Sequence, residues 1–469
     1  MTYRLEPSIL REYDIRGVIG KTLKSDDCYH VGLALGTIMR GRGLRTAVIG
    51  FDGRESSPEF AQNVIKGLTE TGIAVTLIGL GPSPMVYFAM KHLQTDFAVV
   101  VTGSHSPITH NGIKTATAKG PFYGDDVKDV GRVITAGAYQ FAKGSLQHFD
   151  VKDIYLDALL AEVKFGDEMS AVWDCGNGAA GEIVTKLCQK LPGRHKVLFG
   201  EVDGRFPNHH PDPSVAKNLV DLQKTVLAEK AHAGLAFDGD ADRFGGVDDK
   251  AHILWADVIM AVYAGAILPH HQGASVVADV KSSRVLFDEI ARLGGKPIMW
   301  KTGHSVIKAK MIDEKAILAG ELAGHICFGD SGTFFDGYDD GIYCAIRLLN
   351  IIAQSKKALS QLTAHLPRMF NTPEVRFHVD PLRKFHLAPE IEKILKAQGK
   401  AGVHVTTIDG VRVTTPDGWW LIRASNTEDV LTIRAESFTE DGLLRLKQQV
   451  VDALWQCHVK FSFDDDHGH

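Results

Sequence analysis

Val99-Val100-Val101-Thr102-Gly103-Ser104-His105-Ser106-Pro107 is a run of β-branched residues that ends abruptly in a small, polar, turn-prone loop. Such a run reads as a buried parallel strand. In an open α/β sheet, chemistry gathers in the crevice beyond the carboxyl ends of the strands. Here that end offers a hydroxyl, an imidazole and a glycine that lets another group approach the backbone. Two readings of Ser104 follow, a nucleophile or a turn residue.

Working outward, strand and helix signals alternate. Thr46–Gly50 reads as a strand ending in Asp52-Gly53-Arg54, Pro58 opens a helix that stops near Gly72, and Ala74–Ile78 and Phe97–Val101 are further strands. A second unit begins near residue 151, with strands at Ala171–Asp174 and His232–Phe237. A third begins near 255, with strands at Ser275–Val280 and Ala316–Ala319. The last hundred or so residues change character. Val403–Ile408, Asp409-Gly410 and Val411–Thr415 read as a hairpin on a two-residue Asp-Gly turn, followed by strands Trp419–Arg423 and Val430–Ala435 and an amphipathic helix Leu443–Leu454. The pattern predicts three mixed α/β domains (1–150, 151–254, 255–368) and a C-terminal α+β domain (369–469).

Bulk properties narrow the class. A chain of 469 residues is too long for one core. With 52 Lys plus Arg against 57 Asp plus Glu, the net charge of −5 carries no nucleic-acid signature. The six cysteines form no CxxC pair, which predicts reduced thiols and a cytoplasmic protein. Charges at Arg4, Glu6, Arg11 and Glu12 leave no signal-peptide core, and the apolar run Val258–Leu268 is shorter than the ~18 residues that a membrane span needs.

Four further stretches and two isolated cations carry chemistry. Asp238-Gly239-Asp240-Ala241-Asp242-Arg243 follows a strand, and its three alternating carboxylates can converge on one hard cation. An EF-hand loop is excluded, because Arg243 stands where the sharp turn needs glycine. Gly176-Asn177-Gly178-Ala179-Ala180-Gly181 matches the dinucleotide fingerprint, with Glu201 as the matching ribose acid, so an NAD-dependent oxidoreductase is a competing reading. Gly320-Glu321-Leu322-Ala323-Gly324-His325 is a polar loop suited to sugar hydroxyls. Arg423-Ala424-Ser425-Asn426-Thr427 gathers a guanidinium, two hydroxyls and an amide, the groups that cradle a phosphate. Arg16 and Lys114 are cations beside glycines.

Together and in order, from Arg16 to Glu428, these motifs resemble the α-D-phosphohexomutase family, and within it the bacterial phosphomannomutase/phosphoglucomutase type. Thr102–Pro107 is similar to the family's phosphoserine loop, 238–243 to its metal loop, 320–325 to its sugar loop and 423–427 to its phosphate loop. The resemblance implies four domains around a deep cleft, a phosphorylated Ser104, and Mg²⁺ held by Asp238, Asp240 and Asp242 with a phosphoserine oxygen. It implies Arg243 beside the phosphoserine, and Lys114, His105 and Arg16 as the acid/base and electrostatic set. Glu321 and His325 would bind sugar hydroxyls, Arg423, Ser425, Asn426 and Thr427 the non-reacting phosphate, and Lys281 and His304 further parts of the substrate. A hexose 1,6-bisphosphate would serve as intermediate and activator, and small hexose phosphates as partners, with neither nucleic acid nor membrane. Two residues depart from the family pattern, Ser106 in place of Asn and Ala323 in place of Ser. Phosphoglucosamine mutase and an inactive sugar-phosphate binding protein are the alternatives.

Overall fold

Strand Phe97–Val101 is buried along its whole length, as its β-branched run demands, and lies in the interior of a sheet ordered Ile15–Val18, His110–Thr117, Phe97–Val101, Thr46–Phe51, Ala74–Leu80, Ser145–His148. The computed structural model describes residues 3–380, 382–398, 401–425 and 430–463. From Phe97–Val101 towards Ser145–His148 the strands run parallel, whereas His110–Thr117 returns antiparallel beside Phe97–Val101 with Val101 opposite Ile113. The loop that carries Ser104 is therefore the tip of a hairpin, not a strand-to-helix turn.

The next two domains repeat the device. In the second, Ala233–Phe237 lies parallel to Ser170–Asp174 and antiparallel to Phe244–Asp248, with Phe237 opposite Phe244, so residues 238–243 form the tip. In the third, Leu318–Gly320 lies parallel to Ser275–Asp279 and antiparallel to Ile326–Phe328, with Gly320 opposite Ile326, so residues 321–325 form the tip. The fourth domain is an antiparallel sheet packed with helices Lys384–Gln398 and Glu440–Gln456, and its consecutive strands Gly418–Ala424 and Val430–Ser437 also pair antiparallel.

The C-terminal hairpin departs from the expected two-residue turn. Thr406 pairs with Arg412, one residue out of the register that a two-residue Asp-Gly turn needs. This register suits a three-residue loop whose last residue, Gly410, has φ +79°, the left-handed position such loops require. The wider loop presents the Asp409 carboxylate to Arg423 and to the backbone of Thr302.

One apolar core runs through the first three domains, from Val48 and Met85 through Tyr155 and Trp173 to Tyr263 and Ile346. The fourth domain has its own core and meets the third through a small cluster of Val280, Trp419 and Leu421. Around that cluster, Trp419 donates its indole N–H to Glu436 at 2.8 Å, and Lys281 pairs with Glu374 at 3.0 Å. Four domains thus close around a central cleft. No helix among the described residues is long and apolar enough to cross a membrane.

Between the second and third domains, the Tyr155 hydroxyl donates to Asp340 Oδ2 at 2.7 Å, while Asp340 caps helix Gly341–Ser355 by accepting from the Tyr343 amide at 2.9 Å. Burial pushes the Asp340 carboxyl up to about 7 from 3.8. The folded state therefore keeps a proton that the unfolded chain releases. This contribution is complete below pH 4 and is lost as the pH rises through 7. Denaturation of wild type and Asp340→Asn across pH 4–8 should show wild-type stability falling relative to the variant over that interval.

Candidate active site

Ser104 sits in the left-handed region at φ 48°, a conformation costing a residue of this kind about 1–3 kcal/mol. A buried clamp holds it there. The Arg54 guanidinium, 2% exposed, donates to the carbonyls of Ser104, Ser106, Pro107 and His110 at 2.6–3.1 Å. Asp52 sits against Arg54 at 3.3 Å and accepts from the Thr102 hydroxyl and the Gly103 amide at 2.9 and 3.0 Å. Bent this way, the loop directs Ser104 Oγ at Asp238 Oδ2, 2.7 Å away, with His105 Nδ1 at 3.1 Å. Burial, then the charges of Arg243 and Arg16, hold the His105 imidazole well below its usual range, so the ring is neutral. Arg16 reaches the loop from strand Ile15–Val18. It donates to the Ser106 hydroxyl at 2.9 Å and to Asp14, and its Nε is buried without a hydrogen-bond partner. Ser106, the departure from the usual asparagine, thus holds Arg16 together with Asp14.

The acidic hairpin tip packs directly on this loop. A Cβ on Gly239 would stand 2.4 Å from the Ser104 carbonyl, so only glycine permits the approach. Asp238, Asp240 and Asp242 are at most 1% exposed, and one oxygen from each lies within 4.8 Å of the others. Burial, then the charges of Asp240 and Asp242, raise the Asp238 carboxyl well above the usual range. Lys114 Nζ bonds to Asp240 Oδ2 at 2.8 Å and to Asp242 Oδ2, and Ser83 donates to Asp240. Burial opposes the Lys114 charge, but the two carboxylates overcome it and hold the ammonium protonated. The outward oxygens are thus paired, whereas Asp240 Oδ1 and Asp242 Oδ1 are buried with no hydrogen-bond partner. An all-oxygen donor set with orphaned lone pairs fits a hard divalent cation.

The third tip faces the second. Arg243 Nε donates to His325 Nε2 at 3.0 Å and lies 4.0 Å from Asp238 Oδ2. His325 Nδ1 meets Asp339 Oδ2 at 2.8 Å, and Lys308 holds the other oxygen of Asp339 at 2.8 Å. Both ring nitrogens of His325 are therefore engaged within the protein. Glu321 is buried, its carboxyl raised by that burial, and it accepts from the Gly303 amide at 2.5 Å. His304 stacks on His325 with ring centroids 5.0 Å apart. Lys281 is tied to Glu374, and Arg423 Nε donates to Asp409 at 2.6 Å. Asp409 also accepts from the Thr302 amide, and the Thr302 carbonyl accepts from the Tyr13 hydroxyl at 2.6 Å. Ser425 is buried at the end of its strand, and Asn426 and Thr427 lie outside the described residues.

The glycine-rich loop 176–181 does other work than nucleotide binding. Its middle glycine, the one that would approach a pyrophosphate, faces the carbonyls of Gly239 and Asp238 at 2.8 and 3.1 Å from a would-be Cβ, and the Ala179 amide donates to the Gly239 carbonyl. The space for a pyrophosphate is filled by the acidic tip, and Gly178 buttresses that tip. The NAD reading is corrected accordingly. Sequence reasoning also passed over Asp52, Arg54, Ser83, Asp339 and Asp409. Only Asp52-Gly53-Arg54 carried a signal, a charged pair at the carboxyl end of a neighbouring parallel strand.

Four family descriptions cover the chain in order: phosphoglucomutase/phosphomannomutase alpha/beta/alpha domain I at residues 7–138, domain II at 153–251, domain III at 255–370, and the C-terminal domain at 374–453. The phosphomannomutase/phosphoglucomutase of Pseudomonas aeruginosa is 40% identical over 443 residues, covering 94% of each chain. A phosphoglucomutase of Neisseria gonorrhoeae is 38% identical, covering 94% of this chain and 95% of its own. The crystal structure of a phosphoglucomutase/phosphomannomutase family protein from Burkholderia thailandensis superposes with a TM-score of 0.89 at 36% identity, covering 97% of this chain and 98% of that one.

Arg54→Met would strip four loop carbonyls of their donor. It should lower stability by about 3 kcal/mol or more, read from denaturation, and should speed hydrogen exchange at the amides of residues 103–110.

Proposed function

The chain belongs to the phosphoglucomutase/phosphomannomutase family, and from that premise we propose that it interconverts the 6-phosphate and 1-phosphate of mannose and glucose through a phosphorylated Ser104. The observation that carries this reading is the Ser104 hydroxyl, held in a strained loop and directed at Asp238 beside Lys114 and Arg243. Storing the phosphoryl group on Ser104 divides one isomerisation into two transfers. In the first, the P–Oγ bond of phosphoserine breaks as a free hydroxyl of the hexose phosphate bonds to phosphorus, leaving a hexose 1,6-bisphosphate. In the second, Ser104 Oγ bonds to the phosphorus of the other phosphate as its P–O bond to the sugar breaks, and the proton lost from Oγ is matched by the one the released sugar oxygen takes up. The Ser104 proton already points to Asp238 Oδ2 at 2.7 Å, and the neutral ring of His105 is a second acceptor at 3.1 Å.

Phosphoryl transfer rests on positioning and charge. Arg243 and Arg16 are placed to take up the charge of the moving group, and Lys114, kept charged by two carboxylates, acts as a fixed cation rather than a base. Asp238, Asp240 and Asp242, with an oxygen of the phosphoserine, would hold Mg²⁺, which polarises phosphoryl oxygens when bound. Glu321, His325, His304 and Lys281 would line the sugar, and Arg423, Ser425, Asn426 and Thr427 the phosphate that does not react. On this reading residues 1–150 supply the phosphoserine, 151–254 the metal ligands, 255–368 the sugar contacts and 369–469 the phosphate cradle. The hexose 1,6-bisphosphate serves as activator.

A coupled assay on mannose 1-phosphate, glucose 1-phosphate and glucosamine 1-phosphate, with Mg²⁺ and a hexose bisphosphate, tests the reading. Turnover of the first two is expected, and exclusive use of the third would assign the chain to the glucosamine branch. Ser104→Ala should lose at least on the order of 10³-fold in kcat while still binding substrate. Near wild-type turnover in that variant would overturn the phosphoserine route.

A further inference from the structure

Beside the acidic triad a second set of donors converges, and it differs from the first in containing nitrogen. Asp242, His325 and Asp339 each place one ligand atom within 4.8 Å of the others. His325 Nδ1 lies 2.8 Å from Asp339 Oδ2 and 3.5 Å from Asp242 Oδ1, and His304 Nδ1 lies 3.9 Å from the same Asp339 oxygen. Four ligands arranged tetrahedrally about a zinc ion at 2.0–2.1 Å stand about 3.3–3.4 Å apart, so these separations bracket the required value. Two of the atoms make no hydrogen bond, and one of them, Asp242 Oδ1, is also a donor of the acidic triad and would bridge the two sites. Asp242 Oδ1 and His304 Nδ1 are buried without a hydrogen-bond partner, and Asp242 is 1% exposed. The remaining oxygens are already assigned, Asp242 Oδ2 to Lys114 and Asp339 Oδ1 to Lys308, which turns one oxygen of each carboxylate toward the imidazoles.

We propose that Asp242, His325 and Asp339, with His304 as fourth donor, form a second cation site selective for a borderline transition metal such as Zn²⁺ over Mg²⁺. Imidazole nitrogen suits zinc, whereas Mg²⁺ prefers oxygen and holds its water. Asp242 is shared with the acidic triad, so the two sites adjoin. Filling the second one changes His325. In the neutral ring Nδ1 donates to Asp339 and Nε2 accepts from Arg243. A cation on Nδ1 requires that proton to move to Nε2. The ring stays neutral and no proton is released, but two N–H groups then face each other and Arg243 loses its acceptor. Arg243 keeps its ion pair with Asp238 but must turn its Nε away from His325, which shifts the guanidinium from its present place, so zinc at this site acts as an inhibitor. That last consequence rests on the mutase reading, whereas the site itself rests on the geometry alone.

The test uses the full chain, freed of metal and held in excess Mg²⁺. Zn²⁺ is titrated against a chromogenic chelator, and the bound ion is examined by zinc-edge X-ray absorption. One Zn²⁺ per chain with imidazole nitrogen in its shell is expected. His325→Gln and His304→Gln should each weaken binding about tenfold or more and each remove a nitrogen scatterer. His304→Gln surrenders no hydrogen bond at Nδ1, so it keeps the test intact if the His325 variant does not fold. An all-oxygen shell, zinc displaced by Mg²⁺, or an affinity unchanged in the folded variants would overturn the site. Turnover with Mg²⁺ and no zinc is measured separately. Its absence would count against the mutase reading and leave the zinc result standing on its own.

Discussion

The ammonium of Lys114, sealed between the carboxylates of Asp240 and Asp242, is the contact on which the rest of the cleft depends. Three carboxylates buried at the tip of one hairpin repel one another, and their desolvation costs several kcal/mol each unless charge is returned to them. Lys114 returns part of it from a different domain, on the strand that leaves the Ser104 loop. First and second domains are therefore joined by an electrostatic requirement as well as by their shared core. The orphaned oxygens that remain are a donor set suited to a hard cation.

Each of the first three domains makes its contribution with the same device: a buried parallel strand, a hairpin tip and an antiparallel return. A hairpin tip can lean over a neighbouring domain without exposing a sheet edge, because its own two strands satisfy each other. This geometry lets Gly239 touch the Ser104 carbonyl and brings Arg243 against His325. The glycine-rich loop 176–181 belongs to the same design, since its Ala179 amide donates to the Gly239 carbonyl and supports the acidic tip from behind.

Much of this was legible in residues. The β-branched run before Ser104, the alternating aspartates and the glycine-flanked Glu321 loop each marked a strand end, and each lies at one. The return strands were harder to see. Phe244-Gly245-Gly246-Val247-Asp248 contains two glycines and reads poorly as a strand, and it forms one because Ala233–Phe237 offers it a partner. The clamp of Arg54 and Asp52 was hidden for another reason. Its function is to satisfy backbone carbonyls some fifty residues away, and no local pattern records such a partner. The Asp-Gly hairpin was found but misregistered by one residue, because the wider loop is favoured by what Asp409 holds outside the hairpin.

The apolar contact between the third and fourth domains is small: Val280, Trp419 and Leu421, surrounded by paired charges and hydrogen bonds. Heat-capacity change scales with apolar surface exposed or buried. A reorientation of the fourth domain that opens or closes this seam therefore carries little heat-capacity change, so its enthalpy varies little with temperature. The van 't Hoff slope for such a movement would accordingly stay close to constant with temperature, whereas a larger apolar interface would bend it.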